Sequence, residues 1–304
     1  MRLRRASALF VLSALVSVTA TALAFAAAAV VDRVRTGTAG ADDRRVPLSP
    51  LTARRRVGRD WPERAEITTG REPLGEMDDL AAYARPGFDP DRVAPLVRAF
   101  YERTAEFDVA YDVRWHAPFR LGAALASPVT AALGQLNLPG RSAEGRRLHS
   151  RFAEVRPDVD PREGARAWVR TDDGGTAVFV AVYASHVRDG ERFVNIAVPL
   201  PRSNLSTVLR IDHLDGGTAG ENGSESARGT GVRLHTEGPG DPGLYLRTPL
   251  GSVELPMDQT FTVRVAPEGE DADLLATHEM WLLGRQFLTV WYRLHAAEHP
   301  VEEP

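Results

Sequence analysis

The sequence predicts an α+β, mainly β protein: an N-terminal transmembrane helix, a flexible tether, then one or two helices packed on a large antiparallel sheet, sandwich or open barrel. Two observations carry this expectation. Between Arg5 and Asp32 lie 26 consecutive uncharged residues. From Leu148 onward, short apolar segments recur roughly every ten to fifteen residues between turn signals, the spacing of successive antiparallel strands.

The uncharged run, residues 6–31, is long enough as a helix, at about 1.5 Å per residue, to cross a hydrocarbon core of roughly 30 Å. Three arginines (Arg2, Arg4, Arg5) precede it, which favours a cytoplasmic amino end and an extracytoplasmic body. Arg33, Arg35, Arg44 and Arg45 on the far side weaken that asymmetry. A cleaved secretory signal is the rival, with Ala22-Leu23-Ala24 or Ala24-Phe25-Ala26 as the cleavage site and a secreted body as its consequence. A soluble core helix is the third reading. The chain has no cysteine, which excludes a lipidated lipoprotein signal, disulfides, thiolate catalysis and Cys-ligated metal.

Charge is divided unevenly. Every basic residue is arginine; residues 1–31 carry +3, residues 32–64 carry +4, and the rest must be strongly acidic to give the overall −4. An acidic body argues against nucleic acid as a partner. The basic stretch with Arg54, Arg55, Arg56 and Arg59 reads either as a segment lying on anionic headgroups or as a solvated linker.

The expected organisation is an anchor or signal over 1–31, a basic Pro-rich tether over 32–87, a helix-plus-antiparallel-β domain over 88–296 and an acidic tail over 297–304. The tether lacks apolar periodicity and holds Pro47, Pro50, Pro62, Pro73 and Pro86, with a short helix possible near Met77–Tyr83. Asp89 as N-cap and Pro90 at the first position predict a helix carrying Val93, Leu96, Val97, Phe100, Tyr101 and Thr104 on one face. Phe107, Val109, Tyr111, Val113 and Trp115 alternate with Asp108, Ala110, Asp112 and Arg114, a strand with one wet face. A small-residue helix over about 119–133 follows, interrupted by Pro128. Asp172–Gly175 and Asp189-Gly190 separate strands at 165–171, 176–184 and 192–200 as hairpin turns. The last two are apolar on nearly every residue, so both of their faces require cover. Further strands are expected at 206–213, 230–236, 243–248, 251–255, 259–266, 274–283 and 286–294, with a polar loop at 216–229.

No motif spells a reaction. Gly238-Pro239-Gly240-Asp241-Pro242-Gly243 has dinucleotide-fingerprint spacing but two prolines and strand flanks, so it reads as a loop. Asn204-Leu205-Ser206 and Asn222-Gly223-Ser224 have the shape of glycosylation acceptors. The catalytic candidates are His213, His235 and His278, which neighbouring strands could gather with Asp212 and Glu279. Adjacent residues of a strand face opposite ways, which opposes that grouping. The binding candidates are Trp115, His116, Gln135 and Asn137, at strand-to-helix corners, and Trp281 and Trp291 as possible cavity lining. No metal and no cofactor are expected.

The reading that follows is a membrane-tethered extracytoplasmic domain that binds an apolar ligand or an envelope protein without chemistry, with membrane lipid contacted through the N-terminal helix. The rival is an envelope hydrolase using His and carboxylate, perhaps with a metal; a third possibility is a structural or assembly domain. An anchor makes a specific demand: full-length protein should stay with the membrane through alkaline carbonate extraction. Soluble exported protein beginning near Ala26 would instead mark a cleaved signal.

Overall fold

The computed structural model describes residues 46–214 and 231–297. The expected anchor, the first part of the tether, the whole 216–229 loop with Asn222 and all but Ala297 of the acidic tail lie outside the described residues.

Among the described residues twelve strands form one antiparallel sheet: β1 (Phe107–Trp115), β2 (Ala143–Glu154), β3 (Glu163–Thr171), β4 (Ala177–Arg188), β5 (Glu191–Leu200), β6 (Ser203–Leu214), β7 (Gly231–His235), β8 (Gly243–Thr248), β9 (Gly251–Leu255), β10 (Met257–Val265), β11 (Leu274–Leu282) and β12 (Arg285–Ala296). The sheet closes. β6 pairs with β5 through Ser203–Leu209 on one edge, and with β7 through Arg210–Leu214 on the other. Ten strands thus make a closed barrel, neither a sandwich nor an open one, and the β8–β9 hairpin hangs from the first half of β6.

The expected β4–β5 hairpin is present, with Asp189 (φ 51°) and Gly190 (φ 80°) supplying the positive φ of a primed turn. The first strand alternates as read: Phe107, Val109, Tyr111 and Val113 are buried in the barrel. Its wet face is less free than expected, because Asp112 accepts from Gly145 N at 2.6 Å and pairs with Arg293 at 2.8 Å.

Among the described residues three α-helices accompany the barrel: α1 (Trp61–Arg64), α2 (Pro95–Glu102) and α3 (Arg120–Leu133). The helix expected from Asp89 begins later. Asp89 caps only the 3-10 turn Pro90–Arg92, and Pro95 becomes the first residue of α2. The reason is Pro95 itself, which forces Ala94 into an extended conformation (ψ 133°) and so separates the two turns. Pro128 does not interrupt α3, which runs through it on the surface.

The largest correction concerns the tether. Residues 46–87 are packed against the barrel and do not form a free linker. Residues 51–69 form a strap whose Ala53, Val57, Trp61 and Ile67 are buried on the outer face of β3 and β4, against Ala165, Ala167, Val169, Val180, Val182 and Ala184. This is the second cover that the two-sided apolar strands require. Residues 74–106 then cork one barrel end with Met77, Leu80, Tyr83, Phe88, Val93, Val97, Phe100 and Tyr101, all in the interior core.

The strap yields a paired expectation. Trp61→Ala, which empties the cover, should lower stability by about 3–5 kcal/mol. Val180→Asp, placing a carboxylate between strap and sheet, should abolish the cooperative thermal transition. A soluble Val180→Asp protein with unchanged melting temperature would mean that the strap leaves that face open.

Candidate functional site

Inside the barrel the core is not wholly apolar. Along β3 the residues alternate: Ala165, Ala167 and Val169 face the strap, so Arg166, Trp168 and Arg170 point inward. The Arg170 guanidinium carbon lies 3.6 Å from the Trp168 ring centroid and 5.7 Å from that of Tyr292, a cation held on aromatic faces. Trp168 also stacks on Phe152 at 5.0 Å and meets Tyr183 edge-on at 4.9 Å. Tyr292 continues the wall to Tyr111 and Phe261, and Phe261 meets His278 edge-on.

The cork contributes Glu76 and Tyr101. Gly75 makes this possible: a Cβ there would lie 2.2 Å from the Glu102 carbonyl carbon, so only glycine lets the chain press against the end of α2. Glu76 N donates to Tyr101 O at 2.9 Å and Arg166 Nη1 donates to Gly75 O at 3.1 Å, which fixes Glu76 under the barrel. Burial pushes the Glu76 carboxyl up to about 7, although Arg170 and Arg166 pull against it. Burial likewise pushes His278 down to about 4, helped by the Arg170 charge, so His278 is neutral at physiological pH. Tyr101 and Tyr183 are raised by burial.

Four polar atoms in the barrel interior have no hydrogen-bond partner among the described residues: Trp168 Nε1, Arg170 Nε, Tyr101 OH and Ser150 Oγ. Trp168 is 1% exposed and Tyr101 0%. Two of the four can only donate and the hydroxyls can do either, so the set suits an acceptor such as a carboxylate, phosphate ester or carbonyl. Orphaned buried donors of this kind cost stability and call for a reason.

The sequence candidates are scattered. His213, at the corked end, accepts from Asp89 N at 3.1 Å and packs on Phe88. His235 faces outward and meets Asp212 at 2.7 Å, and its Nδ1 is buried. His278 lies in the lumen on Gln259 Oε1 at 3.1 Å. The sheet stands between His235 and the other two, as the alternation of faces required. Among the described residues no three His, Asp or Glu side chains are grouped to hold a metal ion.

The corner residues are structural. Trp115 Nε1 donates to Pro139 O and His116 Nε2 meets Thr289 Oγ1 at 2.9 Å. Gln135, fully buried, donates to Val180 O and Pro199 O and accepts from Val180 N, and Asn137 N donates to Val178 O. Together they bridge β4 and β5 where those strands part. Trp281 and Trp291 point out of the barrel, Trp291 being 41% exposed. Asn204, likewise, is 0% exposed and donates to Ser49 O and Leu51 O, so it is no glycan acceptor in the fold.

Comparison with known proteins places this geometry beside one named relative. The chain is 30% identical over 255 residues to the "Uncharacterized membrane protein YndJ" of Bacillus subtilis (strain 168), a match covering 84% of this chain and 44% of that protein. The chain therefore spans less than half the length of the curated relative it matches. No family model and no solved structure matches the chain.

Sequence reasoning missed this interior polar cluster: Glu76 sat in the supposed tether, and Arg166 and Arg170 were not singled out on the strand at 165–171.

Glu76 and His278 have opposite pH signatures. The Glu76 carboxyl titrates near 4.5 when unfolded and near 7 when folded, so the folded state holds its proton more tightly and stability falls as pH rises through that window. His278, at about 4 folded against 6.5 unfolded, makes stability rise with pH between those values. Glu76→Gln should match the parent near pH 5 and exceed it by about 3 kcal/mol at pH 8, read from thermal midpoints in detergent. An identical pH dependence in both proteins would remove Glu76 from the buried site.

Proposed function

We propose that the chain is a single-pass, membrane-tethered binding domain. Its extracytoplasmic barrel takes a small amphiphile, with the ligand's acceptor group on Arg170, Trp168 Nε1 and Tyr101 OH and its apolar body against the aromatic wall. The observation that carries this reading is the set of orphaned buried donors around Arg170. Membrane attachment is supported by the 26 uncharged residues and by the relative's printed description as a membrane protein. Among the described residues no helix is long and apolar enough to cross a membrane, so the attachment rests on the N-terminal run.

The hydrolase reading is weaker on geometry. His213, His235 and His278 do not converge, and among the described residues none belongs to a group of three or more His, Asp or Glu that could hold a metal ion. A barrel interior with a carboxyl poised at about 7 suits pH-sensitive binding instead: a protonated Glu76 no longer repels an anion on Arg170.

Parinaric acid, a fluorescent fatty carboxylate, tests this directly with detergent-solubilised full-length protein. Energy transfer from tryptophan should saturate, strengthen as pH falls through about 7, and weaken roughly tenfold or more in Arg170→Met, which loses a charged hydrogen-bond donor. Binding that Arg170→Met leaves unchanged, or none at all together with no ligand in native mass spectra, would overturn the reading.

A further inference from the structure

We propose that α3 is a lipid-facing helix that, with the arginines beside its C-terminal end, seats the barrel on an anionic bilayer surface. The proposal rests on the membrane-tether reading above and adds where the body touches the membrane.

No residue of α3 is buried, although it is among the most apolar segments of the body. Leu121, Leu125 and Val129 are 41%, 60% and 59% exposed, and their spacing of four residues puts them in one stripe. The residues 121–140 carry no charge at all and are bounded by the exposed arginines Arg120 and Arg141. A helix of 14 residues is about 21 Å long, too short for a hydrocarbon core of roughly 30 Å, and so lies along a surface rather than across it.

The strap sets basic residues beside this stripe. Val57 N donates to Leu133 O at 2.8 Å and Gly58 N to Gly134 O at 3.0 Å. These bonds hold the exposed Arg54, Arg55, Arg56 and Arg59 at the C-terminal end of α3. Of the strap's acids, Asp60 is engaged by Arg64 at 2.7 Å and Glu63 by Arg151 at 2.6 Å, while Glu66 is exposed. Arg54, Arg55 and Arg56 also line a groove of about 800 Å³ that includes Leu51, Trp61 and Ile67, room for a headgroup over an apolar floor. An apolar stripe flanked by arginine is what an interfacial helix presents to anionic lipid.

The chain outside the structure points to the same occupant. The uncharged run ends at Val31 and the described chain begins at Val46. Those 14 intervening residues span at most roughly 50 Å when fully extended. An anchored chain therefore keeps the apolar stripe within reach of the bilayer.

The absence of cysteine makes the test clean, because a single introduced cysteine labels one site. Full-length Leu125→Cys carrying nitrobenzoxadiazole is reconstituted into phosphatidylcholine vesicles with and without phosphatidylglycerol and with nitroxide-labelled lipid. Expected are a blue shift and strong quenching at position 125 in the anionic vesicles. A Glu270→Cys label, in the β10–β11 turn at the opposite barrel end, should stay unquenched. Replacing Arg54, Arg55 and Arg56 together by Gln should reduce quenching at 125 to the level seen in neutral vesicles. A Ser17→Cys label in the uncharged run reports the anchor separately. If Ser17 is quenched and 125 is no more so than 270, the docking proposal falls and the tether stands; if Ser17 is not quenched, the tether reading itself fails. A label at 125 that self-quenches between copies while ignoring lipid nitroxides overturns the proposal in favour of a second copy on α3. Quenching at 125 that ignores both phosphatidylglycerol and the arginine changes overturns its electrostatic half.

Discussion

Because β6 hydrogen-bonds β5 along one edge and β7 and β8 along the other, the sheet curls until its ends meet, and much of the remaining structure answers to that closure. Closure removes the exposed strand edges that would otherwise recruit other chains. It also creates an interior that ten strands make too wide to fill with aliphatic side chains alone, which is why large rings and two arginines occupy it. On the outside, β3 and β4 retain an apolar face that water would contact. The strap covers it, and the cork covers one open end.

Much of the barrel was legible in the sequence and its covers were not. Strands announce themselves by alternation or by unbroken apolar runs, and Asp189-Gly190 gives its hairpin away by backbone chemistry. The demand for a second cover on Thr176–Ala184 was legible too. What supplies the cover was hidden because Ala53, Val57, Trp61 and Ile67 belong to irregular backbone, whose side chains are spaced by the sheet they meet rather than by a period of their own. Between them stand arginines and prolines, the composition of a linker. The interior polar cluster failed to show for the opposite reason: Arg166 and Arg170 obey the strand period, and hydrophobicity assigns their face to water. Burial of an arginine becomes intelligible only once Trp168 and Tyr292 are seen to provide its surroundings.

The strap is held by a polar lock as well as by apolar contact. Ser49 Oγ donates to Asp160 Oδ2 at 2.6 Å, and Arg162 binds the same carboxylate and the Asn195 side chain. Burial works against the Asp160 charge, but Arg162 and Ser49 outweigh it and hold the carboxyl below its ordinary range. Asn195 donates to Pro47 O and Asn204 to Ser49 O and Leu51 O. Such a buried ion pair adds little net stability over an apolar pair of the same shape. Its directional bonds do something the apolar contacts cannot, which is to set one register for the strap. That register determines which residues of the strap reach α3, and hence where Arg54–Arg56 stand.

The two barrel ends differ in how firmly they are shut. The corked end buries Phe88, Phe100 and Tyr101 in the main core, so opening it would cost a large part of the fold. At the other end α3 buries none of its own residues and is retained mainly by Phe119 on Phe287, by the hydrogen bonds of Gln135 and by Leu136 and Leu138 behind it. Local opening follows the least buried element. On the two proposals above, the low-cost route to the barrel interior would pass under α3. That route would open at the bilayer surface, where an amphiphile already resides, and a ligand would enter without crossing water.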